Sequence, residues 1–514
     1  MKFADAIPPA PRQILVTLRQ HGHEAFLVGG CVRDLLLNRP PKDWDIVTDA
    51  LPDRIMALFP KTHAIGKAFG IITVVPEEGP PVEVATYRAD APYTDGRHPT
   101  AVTFSDARTD AQRRDFTINA LLLDPVSGEL RDYVGGQADL AARLIRAIGD
   151  PTARFQEDHL RLLRAVRFAA TLDFALDPAT RAAIPPLASQ IHRISAERIR
   201  DELFRLLTES QQAGAALQLL HDTGLLREIL PEVAAMIGVE QPPEFHPEGD
   251  VFTHTRLMLD ALPPRPSLRL ALAVLLHDVG KPPTAHYATL RDGTQRWRFE
   301  SHASVGADMA RAILTRLRAP NALTEEVATI IAGHMRLADA PKMRSAKLRR
   351  LLGSPLFADE LELHRLDCIS SHAQLDIYHF LQNAHAQFAA EPVLPPPLVT
   401  GRDLIALGQR VDHGAVLLLA LHLGADHHEI QHHEHQHQRQ HAGQRRHHVS
   451  TTGGGRGGLG KGRGNKHEGE LHNNKTDPAA HAQTSPWLQA TRHCMRQGRR
   501  EGSLNPAACG GFVA

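Results

Sequence analysis

The 514-residue sequence is poor in cysteine: it has only Cys31, Cys368, Cys494 and Cys509, and no CxxC pair. That spacing excludes a disulfide framework and a zinc ribbon and fits a reducing cytoplasm. Charge of one sign is also missing. Lys and Arg total 58 against 58 Asp and Glu, so global charge announces no nucleic-acid partner, although a local basic groove stays open. No run of about 18 apolar residues is present, so no transmembrane helix and no membrane partner are expected. The opening "MKFADAIPPAPRQILVTLRQHG" lacks the apolar core and cleavage site of a secretory leader. What the chain does have is 42% hydrophobic residues and a length too great for one ordinary domain.

The pattern changes along the chain. Residues 1–150 mix short apolar strands ("AFLVGG", "WDIVT", "GIITVVP", "VEVATYR") with helices such as "CVRDLLLN". Residues 151–245 carry helical spacing in "HLRLLRAVRFAATL" and "AERIRDELFRLL". Residues 246–390 are helical again, interrupted by "ATLRDGTQRWRF", whose "RDG" predicts a hairpin turn. A Pro-rich linker, "EPVLPPPLV", opens residues 391–412, and residues 413–514 lose periodicity. That last stretch is rich in Gly, His, Gln and Arg, and its composition predicts disorder, with no specific role for its His-rich tract.

Two aspartates one residue apart, in "DWD", raise the first chemical question. A strand through "DWDIV" sets Asp43 and Asp45 on one face, because side chains alternate with period two. Crowded carboxylates suit a hard divalent cation such as Mg²⁺, which completes its shell from water and substrate phosphates. Glu83, in "VEVATYR", is a candidate third carboxylate on a neighbouring strand. Gly29 and Gly30 let backbone amides approach an anion. Arg33, and the Arg113–Arg114 pair in "RRDFTINALLLDP", offer forks for phosphate. In that segment Asp115 and Asn119 lie four apart, which on a helix places them on one face. A bare DxD is more often a polar turn; the company of these residues is what favours a metal platform.

Taken in order, "GGCVRD…DWD", "YRADAPYTDGRHP", "RRDFTINAL" and "EDHLRLLRAVRFAA" resemble the bacterial class II tRNA nucleotidyltransferases, the CCA-adding enzymes and their poly(A) polymerase relatives. The resemblance covers about residues 20–235. It implies an α+β fold: a polymerase-β-like nucleotidyltransferase head of mixed sheet and helices, then an all-α neck and body. It implies that Asp43 and Asp45 hold catalytic Mg²⁺, that CTP and ATP are substrates, and that the tRNA 3′ end is the partner. It leaves the oligomeric state open.

Within "EDHLRLLRAVRF", Asp158 and Arg161 are three apart, one turn along a helical edge. Asp accepts hydrogen bonds and Arg donates them. Cytosine and adenine present an amine donor beside a ring-nitrogen acceptor, so the pair matches C and A and opposes G and U. On the residues alone, the pair is also an ordinary intrahelical ion pair. In the family the EDxxR pattern is the protein template, which implies that Glu157 orients the pair. Arg164 continues the same edge, to brace the template or touch phosphate. By the resemblance, "DGRHP" favours a member able to add A over one that adds only CC, and the absence of a basic pair near Lys67 favours CCA addition over poly(A) synthesis; addition of the terminal A alone stays open.

A second constellation follows: His254, the adjacent His277 and Asp278 in "LLHDVGKP", His302, His334 and Asp367. Imidazole and carboxylate together suit a divalent transition metal. The pattern resembles the HD phosphohydrolase superfamily and implies an all-α HD domain; His302 and His334 are what a second metal would need, and Lys281 is a candidate phosphate contact. In related nucleotidyltransferases, such a domain implies phosphatase or 2′,3′-cyclic phosphodiesterase activity. "GRDLIALG", residues 401–408, resembles the same enzymes, but the text then departs abruptly, as a frameshifted reading frame would.

Overall fold

The computed structural model describes residues 3–91, 101–289 and 293–388. The "YTDGRHP" loop, the Pro-rich linker, "GRDLIALG" and the His-rich tail lie outside the described residues. No described helix is long and apolar enough to cross a membrane.

The N-terminal section is built on a seven-stranded sheet of order β3-β4-β5-β2-β1-β8-β9. Helix α1 (Pro9–Gln20) leads into β1 (Ala25–Val28), α2 (Gly30–Leu36) and β2 (Asp45–Thr48). Then come α3 (Pro52–Leu58), β3 (Thr62–His63), β4 (Ile71–Val74) and β5 (Val82–Thr86). A separate hairpin pairs β6 (Arg88–Asp90) with β7 (Val102–Phe104). Helix α4 (Ala107–Gln112), β8 (Leu122–Leu123), β9 (Leu130–Arg131) and α5 (Gly136–Ala141) complete the section. β2 and β5 run parallel, and every other pair in the sheet is antiparallel.

Both sheet faces are covered, which is why β1 is buried at all four positions. Ala25, Leu27 and Ile46 join the main core under α1, α2 and α3, whereas Phe26, Val28 and Val47 join a smaller cluster with Ala107 and Ala111 of α4. Asp45 and Glu83 stand directly across the β2–β5 ladder, and the period-two pleat puts them on the side of the smaller cluster. The sparser cover on that face leaves room for the carboxylates. One expectation is corrected here. Strand β2 begins at Asp45, and Asp43 sits in the bend before it rather than on the strand.

The middle section contains β10 (Leu144–Ile145), α6 (Pro151–Glu157), α7 (Leu160–Leu172), β11 (Ala175–Leu176), α8 (Pro178–Ala182), α9 (Ala196–Glu209), α10 (Ala213–Asp222), α11 (Leu225–Ile229) and α12 (Pro231–Ala234). It is helical except for the short parallel pair β10–β11. Helix α7 is buried almost all round, including Arg161 and Arg167.

The third section runs α13 (Val251–Asp260), α14 (Leu268–Leu276), α15 (Lys281–Thr284), β12 (His286–Thr289), β13 (Gln295–Arg298), α16 (His302–Arg316), α17 (Asn321–Gly333), α18 (Ser345–Leu352), α19 (Phe357–Ser370) and α20 (Asp376–Phe388). β12 and β13 form the hairpin expected at "RDG", so the section is not purely helical. Every residue from Leu270 to Leu276 in α14 is buried, the pattern of a central helix with neighbours on all sides.

Candidate active site and metal centre

The turn after β1 determines how close the first group of carboxylates can come. Gly29 has φ 80, and a Cβ there would lie 3.3 Å from Asp45 Oδ2. A Cβ on Gly30 would lie 3.8 Å from Asp43 Oδ1. The glycine pair therefore presents bare backbone to both carboxylates, and a side chain at Gly29 would be strained as well as crowded. Burial pushes the Asp45 carboxyl up to about 6, and the neighbouring Asp43 and Glu83 carboxylates push it the same way. Arg114 opposes them, with Nη1 3.8 Å from the Gly29 Cβ position and its Nε and Nη2 held by Asp110 Oδ2 at 3.2 and 3.1 Å. Asp45 is half-buried between the exposed Asp43 and Glu83, and three crowded carboxylates open to solvent fit a divalent ion on Asp43, Asp45 and Glu83.

Arg33 and Asp115 are both engaged by protein groups. Arg33 Nη1 donates to Asn119 Oδ1 at 2.8 Å, and its Nε and Nη2 donate to Asp34. The guanidinium thus braces α2 and keeps its Nη2 at the glycine turn, 3.7 Å from the Gly30 Cβ position. Asn119 passes the link on, donating Nδ2–H to Asp115 Oδ1 at 3.2 Å. It does so across a 3-10 turn, Thr117–Asn119, not along the α-helix that the spacing suggested. Asp115 Oδ2 accepts from Arg164 Nε and Nη2 at 2.9 and 2.6 Å. Burial alone would raise the Asp115 carboxyl, but Arg164 beside it holds it well below the usual carboxylate range. Arg33, Arg164 and Arg167 all pack on the Phe168 ring, at 5.2, 5.1 and 3.9 Å from its centroid.

Asp158 and Arg161 do not share a helical edge. Asp158 ends α6 with φ −140 and ψ 106, outside helical geometry, and Arg161 belongs to the next helix, α7. The break has a local cause: Asp158 Oδ1 accepts the Leu160 amide at 3.0 Å, satisfying a donor that the first turn of α7 leaves free. Nor do the two side chains pair with each other. Arg161 Nη1 donates to Glu157 Oε2 at 2.5 Å and to the Arg154 carbonyl at 3.0 Å, and its Nη2 donates to the Arg113 carbonyl at 3.2 Å. The partner of Asp158 is Arg198 of α9, a residue the sequence did not single out.

The six residues of the second constellation do meet. Two of the close groups of ligand atoms are His254–His277–Asp367 and Asp278–His302–His334, with the atoms in each within 4.8 Å of one another. Asp278 joins the two groups: Oδ2 is 3.1 Å from His277 Nε2 and Oδ1 is 3.6 Å from His302 Nε2. His277, His302 and His334 each place Nδ1 within 2.7–2.9 Å of the carbonyl three residues earlier. That makes Nδ1 the donor and leaves Nε2 a bare lone pair, the tautomer a metal needs. The Nε2 atoms of His302 and His334 face each other at 3.2 Å, and the buried Nε2 of His277 has no hydrogen-bond partner. Burial lowers His334 to about 4, so its ring is neutral near neutrality.

His254 is held differently. Its Nδ1 lies 2.5 Å from Glu248 Oε1, which also takes His246 Nδ1 at 3.0 Å. Its Nε2 is 3.2 Å from Asp367 Oδ1. Burial disfavours charge on this ring, yet the Asp367 and Glu248 carboxylates outweigh it and raise it to about 9. Lys281 Nζ is bound to Asp278 Oδ2 at 2.7 Å and to Gln241 Oε1 at 2.6 Å, so its first partners are protein groups rather than a free phosphate site. A cleft of about 520 Å³ opens onto Asp278, His302 and His334, with Phe245 and Trp297 among its walls. This set of nitrogen and oxygen donors fits divalent transition metals. Glu248 and His246 escaped the sequence reading because they sit in a loop, where no period marks them.

Family profiles match three consecutive stretches: "Poly A polymerase head domain" over residues 25–146, "Probable RNA and SrmB- binding site of polymerase A" over 173–237, and "HD domain" over 250–371. The CCA-adding enzyme of Geobacillus stearothermophilus is 38% identical over 330 residues, 64% of this chain and 70% of that enzyme. That of Geobacillus sp. (strain WCH70) is 51% identical over 213 residues, 41% of this chain; the match spans about half of that relative's length, 52%. Among solved structures, the Bacillus stearothermophilus CCA-adding enzyme in complex with CTP superposes with a TM-score of 0.59 at 27% identity, covering 84% of this chain and all of that one.

Proposed function

The chain belongs to the family of CCA-adding enzymes, and from that premise we propose that it is a cytoplasmic, template-independent nucleotidyltransferase that adds C, C and A to the tRNA 3′ end from CTP and ATP. The observation that carries the reading is the crowded carboxylate group of Asp43, Asp45 and Glu83 beside the Gly29–Gly30 turn. These three residues would hold Mg²⁺. When bound, Mg²⁺ supplies activation of the tRNA 3′-hydroxyl and charge stabilisation on the pyrophosphate leaving group. Arg114, pinned by Asp110, directs its remaining Nη1 toward the same place and orients the triphosphate. Asp158 and Arg161 read the base: the carboxylate accepts the exocyclic amine, and the guanidinium donates to the ring nitrogen. Arg164 and Asp115 hold the nucleotidyltransferase section against the helix that carries Arg161. CTP bound to the solved Bacillus stearothermophilus relative supports a nucleoside triphosphate here.

The decisive assay offers the protein a tRNA ending at the discriminator base, with each of the four nucleotides in turn. CTP and ATP are incorporated, the product ends in CCA, and UTP and GTP are refused. Incorporation of all four alike refutes the base reader, and an Asp43→Ala protein of full activity refutes the metal platform.

A second reading concerns the histidine–aspartate centre, favoured by the three Nε2 lone pairs that face inward with their Nδ1 protons already committed. We infer a metal-dependent phosphohydrolase working beside the transferase. In the same preparation, Asp278→Ala removes phosphatase or cyclic phosphodiesterase activity and leaves CCA addition intact. Loss of both activities in a folded Asp278→Ala protein contradicts the separation.

A further inference from the structure

The two base-reading residues are anchored from opposite sides, and only one of the anchors lies in the motif. Glu157, four residues before Arg161, holds the guanidinium. The carboxylate of Asp158 is held from another helix. Arg198 Nη2 donates to Asp158 Oδ2 at 2.9 Å, and Nη1 lies 3.5 Å from Oδ1. The Leu160 amide takes Oδ1 at 3.0 Å. A carboxylate has about four lone-pair sites. Three contacts, all from protein, leave one site for a base.

Helix α9 is itself well registered. One turn beyond Arg198, Glu202 of the same helix binds Arg167 and lies 3.5 Å from Arg164, so α9 presents alternating charge to the complementary charges of the α6–α7 segment. The pairs fix both the position and the rotation of α9 against that segment. Because Asp158 sits in the non-helical link between α6 and α7, its own segment holds the carboxylate only at Oδ1, through the Leu160 amide. Arg198 holds Oδ2, with a planar fork that sets the plane of the carboxylate and not merely its charge.

We propose that Arg198 is a positioning residue for base selection: it locks the Asp158 carboxylate so that its remaining acceptor site meets the exocyclic amine of cytosine or adenine. The proposal rests on the reading of Asp158 and Arg161 as the base reader. Arg198 acts through Asp158 and touches no substrate.

The test is equilibrium binding of CTP, ATP, UTP and GTP, each with Mg²⁺, to the full-length wild type, Arg198→Ala and Arg198→Lys, with thermal unfolding and tRNA addition measured on the same samples. Arg198→Ala weakens CTP and ATP about tenfold while UTP and GTP hardly change, so the selectivity ratio collapses. Arg198→Lys keeps the charge but loses the fork, and recovers part of the ratio. A merely structural ion pair predicts a lower Tm and an unchanged ratio, and that result overturns the proposal. If Arg198→Ala fails to fold, Arg198→Lys decides alone, and an unaltered ratio again overturns it. A wild type that selects CTP and ATP but adds neither to tRNA refutes the addition reading, while the binding ratio still decides on Arg198. A wild type that binds all four alike overturns both.

Discussion

Asp45 sits where one charge too many has been gathered. Its carboxyl is pushed up to about 6 by burial, Asp43 and Glu83. A carboxyl whose folded pKa exceeds its unfolded value stabilises the fold in its protonated form. That contribution is complete below the ordinary 3.8 and is lost as the pH rises through about 6. With metal chelated, Asp45→Asn is therefore expected to be more stable than the wild type above pH 6, by on the order of 2–3 kcal/mol. The advantage shrinks to nothing as the pH falls toward 4. Urea unfolding at stepped pH in EDTA reads it directly, and a difference independent of pH contradicts the crowding argument. Adding Mg²⁺ should then stabilise the wild type and not the variant. Of the residues in this site, Asp43, Asp45, Gly29 and Gly30 were legible in the sequence because their relation is local, a bend and strand start beside a glycine turn. Glu83 was legible as a strand residue whose neighbours Val82 and Val84 turn inward. Arg198, forty positions from Asp158, left no trace, because an arginine in an amphipathic helix reads as an ordinary surface residue.

At the scale of elements, the histidine–aspartate cluster depends on close contact between short pieces of backbone. A Cβ on Gly280 would lie 2.2 Å from the His302 carbonyl oxygen and 2.6 Å from the Gly306 amide nitrogen. Neither obstacle is a flexible side-chain end, so Gly280→Ala must push the start of α16 away and carry His302 with it. Such overpacking costs about 1–3 kcal/mol. The expected outcome is a lower Tm together with reduced metal content by elemental analysis, while nucleotide addition persists. Unchanged metal content would show that α16 can absorb the methyl group. The strands and helices themselves were largely readable from period-two and helical spacing. The break between α6 and α7 was not, because helical spacing on both sides ran through it. Its one local signal was an aspartate two residues ahead of a helical leucine, where its oxygen serves the Leu160 amide.

Across the whole molecule, the sheet section and the helices behind it are joined by a relay buried at both ends and half-buried in its middle. It runs from Arg33 through Asn119 and Asp115 to Arg164, and from there to Glu202 and Arg167. Glu202 and Arg167 are 5% and 6% exposed, so neither can turn to water if the other is lost. Glu202→Ala should cost about 3–5 kcal/mol, as expected when a buried charge loses its partner. Denaturant unfolding measures the loss, and a cost below about 1 kcal/mol would mean that Arg167 finds water after all. The sequence foretold the order of the sections through hydrophobic pattern and family resemblance. It could not foretell this relay, whose members are spread from residue 33 to residue 202 and meet only once the chain has folded.

The facing ring nitrogens of His302 and His334 have a practical corollary. Two lone pairs 3.2 Å apart, at the floor of a cleft, are a trap set for whichever ion arrives. Affinity in such nitrogen–oxygen sites follows the order of the metals themselves more than the taste of the protein. The ion found in a freshly purified sample is thus a record of the growth medium and the affinity resin. Only stripping and measured reloading, one metal at a time, would turn that record into a preference.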